Sequence, residues 1–195
     1  MYGTELHKRG GQVMIKVFLV EDEIVMRNGI KNNIPWEKEG LEFAGEASDG
    51  ELAYPLIRKV QPDILITDIR MPFMDGLELS ELVKKEFPRI KIIILSGYNE
   101  FEYAKLAVRL GVSDYILKPV NPQEFAQTIE KVTGELQKQY VENEQRLQQS
   151  SYMREYLLYT LFNGGSAEQV HTLAGNLAGE NFWNHFHRIV FLEFD

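Results

Sequence analysis

Residues 64–76 read ILITDIRMPFMDG, an aliphatic run from Ile64 to Thr67 that ends on Asp68, with Gly76 serving loop geometry nearby. The run suits a strand buried on both faces, and Asp68 then stands at its carboxyl end. Similar runs flank it: Lys16 to Val20, Phe43 to Ala47, Lys91 to Leu95 and Asp114 to Leu117, each rich in Val, Ile, Leu or Phe and separated by amphipathic stretches. Alternation of this kind predicts five βα units and an α/β fold, a doubly wound five-stranded parallel sheet whose ligand site lies beyond the carboxyl ends of the strands. Two helix starts are chemically marked. Asn99 with Glu102 resembles a capping box, and Asn121-Pro122 with Glu124 puts a cap, an N1 proline and an acid in sequence.

Composition narrows the function. The chain has 195 residues, 44% of them hydrophobic and 26% charged, enough for one full core and part of a second. It contains no Cys, which excludes disulfides, thiolate metal sites and Cys nucleophiles and fits a cytoplasmic location. The net charge of -8 disfavours phosphate backbones and anionic lipid. No apolar run approaches the roughly 20 residues of a membrane span, so no membrane partner is expected. Residues 1–14 read as a leader or tag, with Met14 a plausible start.

The polar character of residues 123–161, with Gly134 the only glycine and no proline, predicts a long helix after the last strand. A seam through Ile129, Thr133, Leu136, Tyr140, Asn143, Leu147, Ser150, Arg154, Leu157 and Leu161 is about half polar, which leaves a paired coiled coil and a single solvated helix both open. Asn163-Gly164-Gly165-Ser166 ends it. A second helix over 167–178 and a strand over 188–194 are then expected, a segment too small to enclose its own core and read as the opening of an incomplete middle domain.

The strand ends carry the chemistry. Glu21 and Asp22 follow the first strand, Asp68 the third, Ser96 the fourth and Lys118-Pro119 the fifth, so that in a parallel sheet three carboxylates, a hydroxyl and an ammonium converge. One Asp after a strand is ordinarily a turn residue. Joint placement after four strands is what that reading leaves unexplained. Three mutually repelling carboxylates call for a hard cation such as Mg2+. Asp68 then reads as the nucleophile of a phosphoryl transfer, Lys118 and Ser96 as groups for the phosphoryl oxygens, Asp22 as a metal ligand and Glu21 as one acting through water.

With these positions in order, VFLVEDE (17–23), ILITDIRMPFMDG (64–76), SGYNEFEYAKLAV (96–108) and SDYILKP (113–119) resemble the receiver domain of bacterial two-component response regulators. The resemblance spans about residues 15–135. It implies a flavodoxin-like fold, Asp68 as phosphoacceptor, Glu21 and Asp22 as the acidic pair, Ser96 and Tyr115 as switch residues, Lys118 as the site lysine, and the Arg70 backbone carbonyl as a further Mg2+ ligand. Glu21 stands where many members have Asp. NIPWEKEG (33–40) and GYNEFEYA (97–104) are similar to the YesN/AraC-type subfamily, in which a receiver precedes a linker helix, here 136–162, a middle region, here from 163 to 195, and a DNA-binding helix-turn-helix pair absent from this chain.

The implied partners are a sensor histidine kinase and a second copy, bound through the face of helix 4, strand 5 and helix 5 and through the linker helix; DNA would be reached only through the absent domain. The implied protein is a signalling phosphoacceptor, not an enzyme in the ordinary sense. A haloacid-dehalogenase-type phosphatase would need a second Asp where Arg70 stands, and the alternative of another class is a phosphorylation-independent pseudo-receiver held by its contacts alone. Arg70 and Tyr98 are expected beside the site, and Trp36, Phe101 and Phe125 in packing roles. His185 and His187 lack the companions of a metal pair.

Overall fold

The computed structural model describes residues 8–9, 12–97, 101–166, 168–170 and 172–173. The chain divides into two compact units, Met1–Gly134 and Glu135–Asp195.

The first unit is built on a parallel sheet of β1 (Ile15–Val20), β2 (Leu41–Ala47), β3 (Ile64–Asp68), β4 (Lys91–Ser96) and β5 (Asp114–Leu117). The strands lie in the order β2-β1-β3-β4-β5. This is the doubly wound, flavodoxin-like arrangement, with its switch in strand order between β1 and β3. Helices α1 (Ile24–Asn33), α2 (Gly50–Val60), α3 (Gly76–Glu86) and α4 (Phe101–Leu110) make the crossovers, and α5 (Pro122–Phe162) follows β5.

Burial explains the strand compositions. Every residue of β3 is buried, as a central strand sandwiched between helices requires, whereas the edge strand β2 carries Glu42 and Glu46 and is buried mainly at its two ends. Phe18, Val20, Leu65, Ile92 and Ile94 point to one face and pack with Ala53, Ile57, Leu79, Val83 and Ala107 of α2, α3 and α4. Residues of the opposite parity, Val17, Leu19, Ile66 and Ile93, are buried just as fully on the other face. Right-handed crossovers put α1 on that second face because its connection runs across the sheet in the opposite direction to the next three.

The strands run one or two residues beyond the expected ranges at four ends: β1 begins at Ile15, β2 at Leu41, β3 closes on Asp68 and β4 on Ser96. The ladder hydrogen bonds continue through these residues, although Asp68 and Ser96 carry polar side chains that an aliphatic pattern leaves out. A short antiparallel pairing of Lys8–Arg9 with Gln12–Val13 lies within the stretch expected to be a leader. The β1–β2 register shifts between Val17 and Phe18, and Gly45 makes room there: a Cβ on it would lie 2.6 Å from the Phe18 ring.

Asp49 and Asp75 cap α2 and α3, accepting from the Leu52 amide and from the Leu77 and Glu78 amides. Asn121 caps α5 as expected, accepting from the Gln123 and Glu124 amides at 2.9 and 3.3 Å. Trp36 is buried, donates its Nε1–H to the Lys31 carbonyl at 2.8 Å and stacks 5.3 Å from Phe43; Phe125 is also buried.

In the second unit the helix ends at Phe162, and Ser166 and Gln169 exchange side-chain bonds with each other's amides, a capping box that starts the next helix. Along the α5 seam Ile129, Thr133, Leu136 and Leu157 are buried and Leu147 is exposed. The expected cap at Asn99 and Glu102, the site neighbour Tyr98, the side chain of Phe101, the latter part of the 167–178 helix, His185, His187 and the strand over 188–194 lie outside the described residues and side chains.

Two glycines separate backbone freedom from backbone clearance. A Cβ on Gly76 would lie 1.8 Å from the Asp68 carbonyl oxygen, whereas one on Gly29, inside α1, meets nothing within 4 Å. Gly76→Ala is therefore expected to cost about 3 kcal/mol or more because main chain must move. Gly29→Ala should stabilise by about 0.5–1 kcal/mol through helix propensity. Urea denaturation of both variants checks the pair.

Candidate functional site

At the switch between β1 and β3 the ends of four strands deliver polar groups to one pocket. β1 runs into Glu21, whose amide still donates to the Ala47 carbonyl at 3.1 Å, so its side chain is fixed as firmly as a strand residue's. Glu21 is fully buried and Asp68 is 5% exposed, whereas Asp22 is half-buried. Carboxylate oxygens of these three lie within 4.8 Å of one another. Asp68 takes an amide hydrogen from Ile69 on Oδ1 at 2.8 Å.

Lys118 reaches the acids from the end of the edge strand β5, beside a cis bond to Pro119. Its Nζ stands 2.8 Å from Asp68 Oδ2 and 2.9 Å from Glu21 Oε2, and donates to Glu21 Oε1 at 3.0 Å. Its own amide donates to the Ser96 carbonyl at 2.6 Å, which locks the two strand ends together. Ser96 is fully buried, its Oγ 3.2 Å from the Gly97 carbonyl oxygen it donates to.

The electrostatics follow from burial. Desolvation lifts the Asp68 carboxyl above its ordinary range; Lys118 and the Ile69 amide oppose that, and Asp22 adds to it. Desolvation also lifts Glu21, with Lys118 pulling down and Asp68 pushing up. For Lys118, desolvation favours the neutral amine, but bonds to Asp68 and Glu21 outweigh it and hold the ammonium above its ordinary pKa. One ammonium thus serves two buried carboxylates. Glu21 Oε2 meets Nζ at 2.9 Å as an ion pair but has no well-aligned hydrogen-bond donor among the described residues. A buried carboxylate oxygen with spare lone pairs, in an all-oxygen donor set, fits a hard divalent cation such as Mg2+, and Glu21, Asp22 and Asp68 are the residues placed to hold it.

Arg70, two residues past Asp68, is exposed, with its guanidinium 6.0 Å over the ring of Tyr103 on α4. Tyr115 is half-buried on β5, packed against the cluster that the sheet shares with α2, α3 and α4. Sequence reasoning passed over Arg27 of α1, which donates to the Glu21 carbonyl. It also passed over Gly50, whose amide donates to the Met74 carbonyl at 3.2 Å and ties the β2–α2 loop to the loop after Asp68. Neither has a spacing that marks it, since each acts through main chain: Arg27 on carbonyls of the turn just before its helix, Gly50 on that of a loop far along the chain.

Sheet order, acid cluster and bridging lysine define a class of flavodoxin-like domains with an acidic pocket at the switch point. The chain belongs to the response regulator receiver domain family, whose model matches residues 17–130. Receiver domains are signalling domains that bind Mg2+ at an acidic pocket, and response regulators partner with sensor histidine kinases.

Among relatives, the chain is 44% identical over 128 residues to the uncharacterized transcriptional regulatory protein YesN of Bacillus subtilis, covering 66% of this chain and 35% of that protein. It is 36% identical over 131 residues to the transcriptional regulatory protein HptR of Staphylococcus aureus, covering 67% and 51%. The REC domain of AraT, a response regulator from Geobacillus stearothermophilus, superposes with a TM-score of 0.62 at 39% identity, covering 65% of this chain and 98% of that one. A two component transcriptional regulator AraC from Clostridium phytofermentans gives 0.59 at 30%, covering 66% and 98%. The chain spans between about a third and a half of the curated relatives it matches.

Because the folded pKa values of Asp68 and Glu21 are raised, their contribution to stability is complete below the unfolded carboxylate pKa and is lost as pH rises through the folded one; the Lys118 contribution is lost only at alkaline pH. Asp68→Asn is therefore expected to melt above the wild type at about pH 7.5 in a chelating buffer, the gain shrinking toward about pH 4 as the native carboxylates protonate. Calorimetric melting across that range measures it.

Proposed function

We propose that the chain is the phosphoacceptor part of a two-component transcriptional regulator, taking a phosphoryl group from a sensor histidine kinase onto Asp68. The observation that carries this reading is the bridge from Lys118 to both Asp68 and Glu21 at the carboxyl edge of the sheet. A carboxylate oxygen of Asp68 forms the new bond to phosphorus as the donor's P–N bond breaks, and the electron pair leaves with the imidazole nitrogen. Lys118 follows the incoming oxygens, its ammonium being fixed at hydrogen-bond distance from the acceptor. Ser96 donates its hydroxyl to the same group after turning from the Gly97 carbonyl. A bound Mg2+ would neutralise the phosphoryl oxygens, with Glu21, Asp22, Asp68 and the Arg70 carbonyl as its holders.

The readout we infer runs through Tyr115. Movement of Ser96 toward a phosphoryl group vacates space beside β5, Tyr115 turns inward, and the face of α4, β5 and α5 becomes competent to pair with a second copy. In this reading residues 15–135 are the receiver, 136–162 a linker helix that pairs with its counterpart, and 163–195 the start of a middle region. DNA is contacted by a further region of the parent protein, in the cytoplasm. No helix among the described residues is long and apolar enough to cross a membrane.

Intact mass after incubation with a small phosphodonor tests the reading. One phosphoryl adduct is expected with Mg2+, none after chelation and none in Asp68→Asn. An adduct that survives in Asp68→Asn moves the nucleophile elsewhere, and no adduct in any sample favours a phosphorylation-independent pseudo-receiver. Tyr115→Ala should accept the phosphoryl group normally yet lose phosphate-dependent dimerisation in analytical ultracentrifugation; unchanged dimerisation removes Tyr115 from the switch.

A further inference from the structure

The acids of the pocket are held from behind by a cation. Arg27 lies in the second turn of α1, and its side chain runs back toward the helix N-terminus, as helical side chains do. There Nη1 donates to the Glu21 carbonyl at 2.5 Å and is 3.5 Å from that of Asp22. On its other side Nε stands 3.8 Å from Glu46 Oε1, and Lys31 Nζ holds Glu46 Oε2 at 3.0 Å. The Arg27 side chain is only 15% exposed. The Glu21 amide is held by the Ala47 carbonyl at 3.1 Å, but past it the turn is lightly tied: α1 has no side-chain cap, and the Glu23 amide donates to Glu21 Oε1 over a long 3.4 Å.

We propose that Arg27 is the positioning residue of the acidic pocket, its guanidinium anchored on Glu46 and fixing the main chain of Glu21 and Asp22 so that their carboxylates keep the spacing a divalent cation needs. The inference rests on the cation reading above and adds a residue to it. Two arguments support it. Three carboxylates in one pocket repel, so the main chain that carries two of them needs an anchor, and a planar guanidinium with several donors spans neighbouring carbonyls where an ammonium is a point charge. Coulomb's law alone would also keep a positive side chain away from a cation site, so its service there is geometric, and the two effects differ in sign.

The test compares Arg27→Lys and Arg27→Gln with the wild type in this whole chain, by titration calorimetry with Mg2+ alone and by hydrogen exchange of the 21–23 amides in chelator. Positioning predicts about tenfold weaker Mg2+ binding in both variants, the usual scale for groups that orient metal ligands. It also predicts faster exchange of those amides with no metal present. Tighter binding by Arg27→Gln would show that the guanidinium acts only as a repelling charge, and wild-type affinity in Arg27→Lys would show that charge suffices; either overturns the proposal. So does a lowered melting temperature with affinity and exchange unchanged, which marks a purely structural prop. Should the wild type itself not bind Mg2+, the cation reading fails, and the exchange arm decides alone: faster exchange sustains the anchoring of Glu21 and Asp22, and unchanged exchange ends it.

Discussion

The ammonium of Lys118 is the one group on which the carboxyl edge of the sheet depends. Two carboxylates buried as deeply as Glu21 and Asp68 would take up protons or open the edge to water if nothing opposed their charge. Lys118 reaches them only because β5 lies two strands away from β3 and ends level with it, so register along the whole sheet is a precondition of the pocket. The compensation is incomplete in number, one ammonium bridging two buried acids. Stability is thereby given up where the chemistry needs unsatisfied negative charge, a trade familiar from functional sites.

The fold was legible because burial on both faces writes itself into composition: β3 and β4 are nearly pure aliphatic runs and could be read at sight. Strand order was not legible from the runs themselves, since the same five would serve other parallel arrangements; it came from the match of whole motifs. The pocket acids and Lys118 were legible for a different reason, each standing at or just past the carboxyl end of an aliphatic strand. What the sequence hid were contacts made through main chain. The Cβ-free approach of Gly76 to the Asp68 carbonyl, the tie from Gly50 to Met74 and the hold of Arg27 on Glu21 depend on which loops the fold brings together.

Edges of the sheet are managed differently. β2 is short of buried positions, carries Glu42 and Glu46, and has an irregular register against β1, all of which discourage pairing with another chain. β5 is short and ends in the site lysine, with Asp114 at its start bound to Lys131 of α5 at 2.9 Å. Along α5 the balance reverses: Tyr152, Tyr156, Tyr159 and Phe162 are all mostly exposed, a density of aromatic surface that contrasts with the charged edges of the sheet.

The packing of Trp36 gives the molecule an optical property. Its indole sits against Phe43, over whose ring the Lys31 ammonium lies at 5.3 Å, and Lys31 shares Glu46 with Arg27. A chain of charged contacts thus joins the indole's surroundings to the loop that carries Glu21 and Asp22. An indole's emission shifts with the field across it, and the contacts from Trp36 to Arg27 run through Phe43, Lys31 and Glu46. The chain has only one other tryptophan, Trp183, whose replacement by Phe would leave the emission of Trp36 alone, without any attached dye.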